Sequence, residues 1–222
     1  MKLNIGRIAL GASLAIATLA GMASEAAYAR TSGQDHRAAN MRIFGPSRAP
    51  IGHVNFCKAH PSECQPTNVV NQLPRLDAQD WTELVAVNNH INQTVIPVTD
   101  MDLYRTVEYW TYPSGAGDCE DYVLAKQRML VSLGWPIESL LITVVRDENG
   151  DGHAVLTVTT QQGDFVLDNR RPEILRWQQS RYTFRKRQSQ TDPSRWVSLT
   201  NSTGLFESFW RAQFNDVSAT ND

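Results

Sequence analysis

The chain has 222 residues, 41% hydrophobic and 20% charged, with 21 Lys+Arg against 23 Asp+Glu and a formal charge of -2. That balance suits one globular domain, and it excludes both the basic footprint of a nucleic-acid-binding protein and a long acidic tail. The three cysteines form an odd set, so a disulfide between two of them leaves one thiol over.

Residues 1–29 read as a cleavable secretory signal: Lys2 and Arg7, then an apolar run over residues 8–23, then Ala27-Tyr28-Ala29 before Arg30. The apolar run falls short of the roughly 20 residues a spanning helix needs, so the mature chain is expected to be exported, periplasmic and not inserted in a membrane. Residues 30–53, punctuated by Gly33, Gly45, Pro46 and Pro50, read as a flexible arm. A single folded domain is expected over residues 54–214, with a frayed end at 215–222. Cys57 and Cys64 flank a Pro61 turn, and an oxidising compartment favours their pairing. A zinc site of Cys57, His60 and Cys64 is the alternative, but it has no fourth ligand nearby.

Trp81, Leu84, Val85, Val87 and Ile91 recur at helical spacing after two candidate caps, Asp77 and Asp80, which predicts a helix ending before Val95. Residues 100–113 are rich in Tyr and Trp and look irregular. Gly115-Ala116-Gly117 then forms a turn, Asp118 is a good N-cap, and Cys119, Tyr122, Val123, Lys126, Met129 and Leu130 follow a helical period up to Gly134 and Pro136. Three β-branched runs, 140–145, 154–160 and 165–167, predict an antiparallel meander, with further strands at 182–185 and 196–199. The segment 147–152 matches half of an EF-hand loop, but Val158 stands where the closing Glu belongs, so a hairpin turn is the better reading. Arg181, Arg185, Lys186 and Arg187 read as a solvated strand edge.

Cys119 falls in the first turn of its helix, where unpaired N–H groups and the helix dipole favour a thiolate. Asp118 and Glu120 oppose this by like charge, so a nucleophilic role needs a base. His153 at the start of one strand and Asp168 at the end of the next supply the base and its orienting carboxylate. A two-residue turn at Gln162-Gly163 pairs Thr157 with Asp168, which places His153 and Asp168 on one sheet face but leaves roughly 13 Å between them along the strand.

Gly117-Asp118-Cys119-Glu120-Asp121-Tyr122, Gly152-His153-Ala154-Val155-Leu156 and Val166-Leu167-Asp168-Asn169, in that order, resemble the bacterial transglutaminase-like cysteine proteinases. Trp81, the Val87-Asn88 and Ile91-Asn92 pairs and Asp100 also look like the family pattern, so the resemblance runs from about residue 81 to 177. It implies an α+β, papain-like and transglutaminase-like fold, with N-terminal helices packed on an antiparallel sheet. It further implies Cys119 as nucleophile, His153 as base and acid, and Asp168 as the orienting carboxylate, acting on a protein substrate through a thioester. The Cys119 N–H is then one donor of the oxyanion hole. In adhesin-cleaving members, acidic residues matching Asp118, Glu120 and Asp121 bind calcium; capping of the helix is the plainer role for all three. Such members release a surface adhesin involved in biofilms, which brings in an inhibitory inner-membrane receptor as a further partner; the protein itself is expected to be a monomer. Two other functions fit the same residues: an acyl transferase that passes the thioester to an amine, and a non-catalytic calcium-binding module.

Overall fold

The computed structural model describes residues 39–67 and 72–201. The signal at 1–29, most of the arm and the C-terminal end at 215–222 lie outside the described residues. The elements in chain order are β1 (Pro46–Ser47), α1 (Ile51–Ala59), α2 (Ala78–Thr94), β2 (Ile96–Pro97), α3 (Asp100–Tyr104), β3 (Ala116–Gly117), α4 (Cys119–Ser132), β4 (Leu140–Arg146), β5 (Gly152–Thr160), β6 (Gly163–Leu167), β7 (Leu175–Arg176), β8 (Thr183–Gln188) and β9 (Trp196–Ser198). The sheet runs β1-β9-β8-β4-β5-β6-β7, and every pairing in it is antiparallel. The expected α+β architecture and the β4-β5-β6 meander are both present.

The sheet is apolar on both faces. Ile142, Ala154, Leu156, Val158, Phe165 and Leu167 share a core with Leu84, Val87 and Ile91 of α2 and with Tyr122, Val123 and Leu130 of α4. Val145, Val155, Val166 and Phe184 form a second cluster with Met41, partly covered by Trp177 and Tyr182. Burial of roughly 25 cal/mol per Å² of apolar surface makes these two layers the main stabilising term. α2 starts where its sequence says: Asp77 accepts hydrogen bonds from the N–H groups of Gln79 and Asp80, and Asp80 reciprocates to Asp77 N–H.

Four parts of the sequence reading are corrected. Residues 39–53 are built into the fold, because Ala39 and Asn40 clamp the β5–β6 hairpin, β1 pairs with β9, and α1 packs Gly52 against the Trp110 ring. Asp164 is the anchor: it accepts from Met41 N–H at 2.7 Å and from the Asn40 amide at 2.8 Å. Arg187 is not a solvated edge cation, since β8 lies inside the sheet between β9 and β4 and Arg187 is buried against Asp164 at 3.1 Å. Residues 100–113 begin with the short helix α3, capped by Thr99.

The hairpin register is the fourth correction. The turn is Gln161-Gln162, and Thr160 faces Gly163. The Thr159 hydroxyl binds the Asp164 carboxylate directly across the ladder, which locks that register. One more step of the ladder would set Asp168 opposite Val155, two residues or about 7 Å from His153 rather than four.

Candidate active site

Cys119 is the first residue of α4, so its N–H is among those with no acceptor inside the helix. α4 packs along β5, and the Ala154 N–H points at the Cys119 sulfur. The thiol therefore lies against the residue next to His153. Its other partner is Glu120: the thiol donates to Oε2 at 3.1 Å. Burial, then the charge and hydrogen bond of Glu120, push the Cys119 thiol well above the usual thiol range, with the Ala154 N–H acting in the opposite direction.

Across the strand pair, His153 and Asp168 are 3% and 1% exposed. Their atoms His153 Nε2 and Asp168 Oδ1 are 2.9 Å apart. Burial alone would raise the Asp168 carboxyl, yet the bond and charge of His153, the Tyr182 hydroxyl and the Arg170 N–H bring it down to about 2. An ionised carboxylate only accepts, so Nε2 carries the proton and Nδ1 of the neutral ring holds the lone pair. Nδ1 is buried and has no hydrogen-bond partner among the described residues. An imidazole with a fixed tautomer and an open lone pair thus sits on the strand that contacts the thiol. The shared sheet face expected for His153 and Asp168 is what allows this contact, once the gap has closed to two residues.

The acidic residues at the start of α4 divide. Asp118 occupies the N-cap position, but its side chain makes no capping bond and instead accepts from the Asp100 N–H at 3.2 Å. Asp100, Asp118 and Glu120 each offer an oxygen, and the three oxygens lie within 4.8 Å of one another. Asp121 lies outside this group of three. Its Oδ1 accepts from Thr111 N–H at 3.0 Å, and its side chain fills the space a β-carbon on Gly117 would need. Asp100 was not among the expected ligands, because only the parallel pairing of β2 with β3 brings it to Asp118. The pairing leaves a trace in sequence, since Ile96-Pro97 and Ala116-Gly117 flank both acidic residues.

These carboxylates lack compensation. Asp100 Oδ1 and Asp118 Oδ1 are buried without a partner among the described residues. Burial first, then the neighbouring Asp118 charge, raises Glu120 to about 9. Burial also lifts Asp121 to about 7, partly opposed by the Thr111 N–H. Asp100 is raised as well, by burial against the Tyr109 N–H bond. Orphaned buried oxygens on clustered carboxylates are what a hard cation would complete, so the residues fit a calcium ion.

Cys57 and Cys64 form the expected disulfide, with an S–S distance of 2.06 Å. Cys119 is the free cysteine.

Comparison with known proteins adds three solved structures of Legionella pneumophila LapG. One is 26% identical, covering 60% of this chain and 75% of that one, with a TM-score of 0.46. A calcium-bound form is 24% identical over 58% of this chain and 80% of that one, at 0.47. An EGTA-treated form is 28% identical over 48% of this chain, at 0.43, and the chain spans 62% of its length. No curated protein matches the sequence. The pattern that defines the bacterial transglutaminase-like cysteine proteinases matches residues 43–204, a span that holds Cys119, His153, Asp168 and the acidic cluster, and the chain belongs to that family.

Proposed function

We propose that the protein is an exported, periplasmic cysteine endopeptidase that cleaves a protein substrate, such as a cell-surface adhesin, through a thioester. The observation that carries this reading is the His153–Asp168 pair with Nδ1 open, on the strand whose Ala154 N–H faces the half-buried Cys119 thiol at a helix N-terminus. Nδ1 takes the Cys119 proton, and the thiolate adds to the substrate carbonyl. The Cys119 N–H donates to the oxygen that gains charge. The imidazolium then protonates the departing amine, which leaves a thioester. Water next loses a proton to Nδ1 and attacks the thioester, releasing the acid and regenerating the thiol. Asp168 stays ionised throughout and stabilises the imidazolium.

Asp100, Asp118 and Glu120 would hold calcium. When bound, the ion supplies positive charge that offsets the carboxylates crowding Cys119. Glu120 then has a role besides binding the thiol.

The test is surface proteomics of cells carrying the wild-type protein or Cys119→Ala. A surface protein should be shortened only in the wild-type cells. The same shortening with Cys119→Ala would overturn the reading.

A further inference from the structure

We propose that Tyr182 is a positioning residue for this chemistry: its hydroxyl fastens the second oxygen of Asp168 and its ring covers the His153–Asp168 pair. The inference rests on the peptidase reading above. The Asp168 carboxylate is divided between two sets of donors. Oδ1 takes His153 Nε2 at 2.9 Å and the Arg170 N–H at 3.0 Å. Oδ2 takes the Tyr182 hydroxyl at 2.5 Å and faces Arg171 Nε at 3.6 Å. A carboxylate fastened at one oxygen can rotate about its last bond; fastened at both, it presents one lone pair in one direction to the imidazole.

The Tyr182 ring meets His153 edge to face, with centroids 5.5 Å apart. The Arg171 guanidinium lies 5.7 Å from the centre of the same ring. Tyr182 and Arg171 also line a polar surface cavity of about 170 Å³ together with Asp147, Glu148, Asn149 and Arg170. They therefore stand between solvent and the buried Asp168. The charged groups around the pair come from every neighbouring element. Lys126 of α4 acts on Asp168 through its charge, Arg170 and Arg171 follow Asp168, and Asp147 of the β4–β5 turn holds Arg170 at 2.7 Å. Burial, then the bond to Asp168, pushes the Tyr182 phenol up to about 12, so it stays a neutral donor.

Two substitutions separate the roles of hydroxyl and ring. Tyr182→Phe keeps the cover and removes the donor. Asp168 then gives more of its charge to His153, and the proton NMR resonance of His153 Nε2–H should move downfield. Tyr182→Ala removes both, and exchange of that proton with water should quicken by about tenfold or more. Tyr112→Phe loses a similar hydroxyl-to-carboxylate bond, to Glu63, and should leave the resonance in place. A resonance unmoved in Tyr182→Phe, or moved equally in Tyr112→Phe, overturns the proposal. Wild-type protein provides a check that needs no variant: the Tyr182 hydroxyl proton should exchange slowly and show cross-relaxation to the His153 ring, and its absence overturns the proposal as well. Neither readout involves cleavage, so a failure here leaves the peptidase reading standing, while cleavage by Cys119→Ala would remove that reading and leave these spectra unchanged.

Discussion

One carboxylate site holds His153 on the strand beside Cys119 and another borders Cys119 itself, and the fold treats them in opposite ways. Asp168 is saturated by donors from His153, Arg170 and Tyr182 with Arg171 nearby, and it is held at about 2. Asp100, Glu120 and Asp121 are buried and Asp118 is partly so, yet among the described residues none of them pairs with a Lys or Arg. Burying a charge is tolerated only when it is compensated. The first site is completed by the chain itself. The second has no positive partner among the described residues, and it lies directly against the thiol. One site is a permanent part of the base; the other can respond to its surroundings.

Removing the charge of the completed site should have the largest effect. Asp168→Asn leaves the shape but replaces the acceptor-only carboxylate by an amide whose N–H can face Nε2 and select the other tautomer, so cleavage should fall by about ten-thousandfold, as for an orienting Asp elsewhere. Rates on the shortened surface protein check this; a drop under tenfold would mean that His153 is not held by Asp168 during catalysis.

The open site should respond next most strongly, through its cation. Saturating calcium at about a hundred times its Kd should stabilise the fold by about 3 kcal/mol over an EGTA-treated sample. The two sites also titrate in opposite senses. For a carboxyl raised on folding, such as Glu120 at about 9 or Asp121 at about 7, stability is lost as pH rises from the unfolded value near 4 toward the folded one. Asp168, lowered on folding, contributes stability above the unfolded value that is lost as pH falls toward 2. In EGTA the melting temperature should therefore decline between pH 5 and about pH 8, and calcium should flatten that decline. Equal slopes with and without calcium would remove the cation from the site.

The same contrast shows what was legible in the sequence. The Cys119, His153 and Asp168 blocks could be read because each stands at the end of a periodic element, where pattern and capping fix its place. The disulfide followed from local spacing and compartment. Asp100 was missed as a cluster member because its approach depends on the pairing of two short strands, and pairing of that kind is set by the whole fold. The His153–Asp168 gap was overestimated because the register depends on the Thr159–Asp164 bond, a contact between side chains that alternation does not reveal. Residues 39–41 lie in a stretch punctuated by Gly and Pro, yet Asn40 and the backbone of Ala39 and Met41 bind Asp164, a signal that composition cannot carry.

A smaller perturbation tests the packing beneath the open site. In Gly117→Ala the new methyl group would fall on the Asp121 side chain, which must move away from Thr111. Overpacking of this kind costs about 1–3 kcal/mol, to be read as a lower denaturant midpoint. Paired with Asp121→Ala, which clears the space, the penalty should shrink; an unchanged penalty would place the strain elsewhere.

The smallest expected effect concerns the lysine on the completed side. Lys126 is fully buried, its Nζ has no hydrogen-bond partner among the described residues, and its ammonium lies 6.0 Å from the Tyr122 ring centre. Burial lowers it to about 7, and the charge of Asp168 partly opposes the fall. Lys126→Met keeps the length and removes the buried charge. Replacements of this kind are neutral or stabilising, and with Asp168 already offsetting part of the penalty the gain should be about 1 kcal/mol. For a base lowered on folding, the unfolded chain binds more protons between the two pKa values. Wild-type stability therefore rises with pH from about 7 toward the unfolded value of 10.5. The advantage of Lys126→Met should thus be greatest below about pH 7 and fade above about pH 10. Melting temperatures at pH 6 and pH 10 decide it. An equal gain at both would mean that Met packs better for its shape alone; a loss at both would mean that Asp168 requires the lysine as its counter-charge, and the completed site would then extend one helix further than its hydrogen bonds.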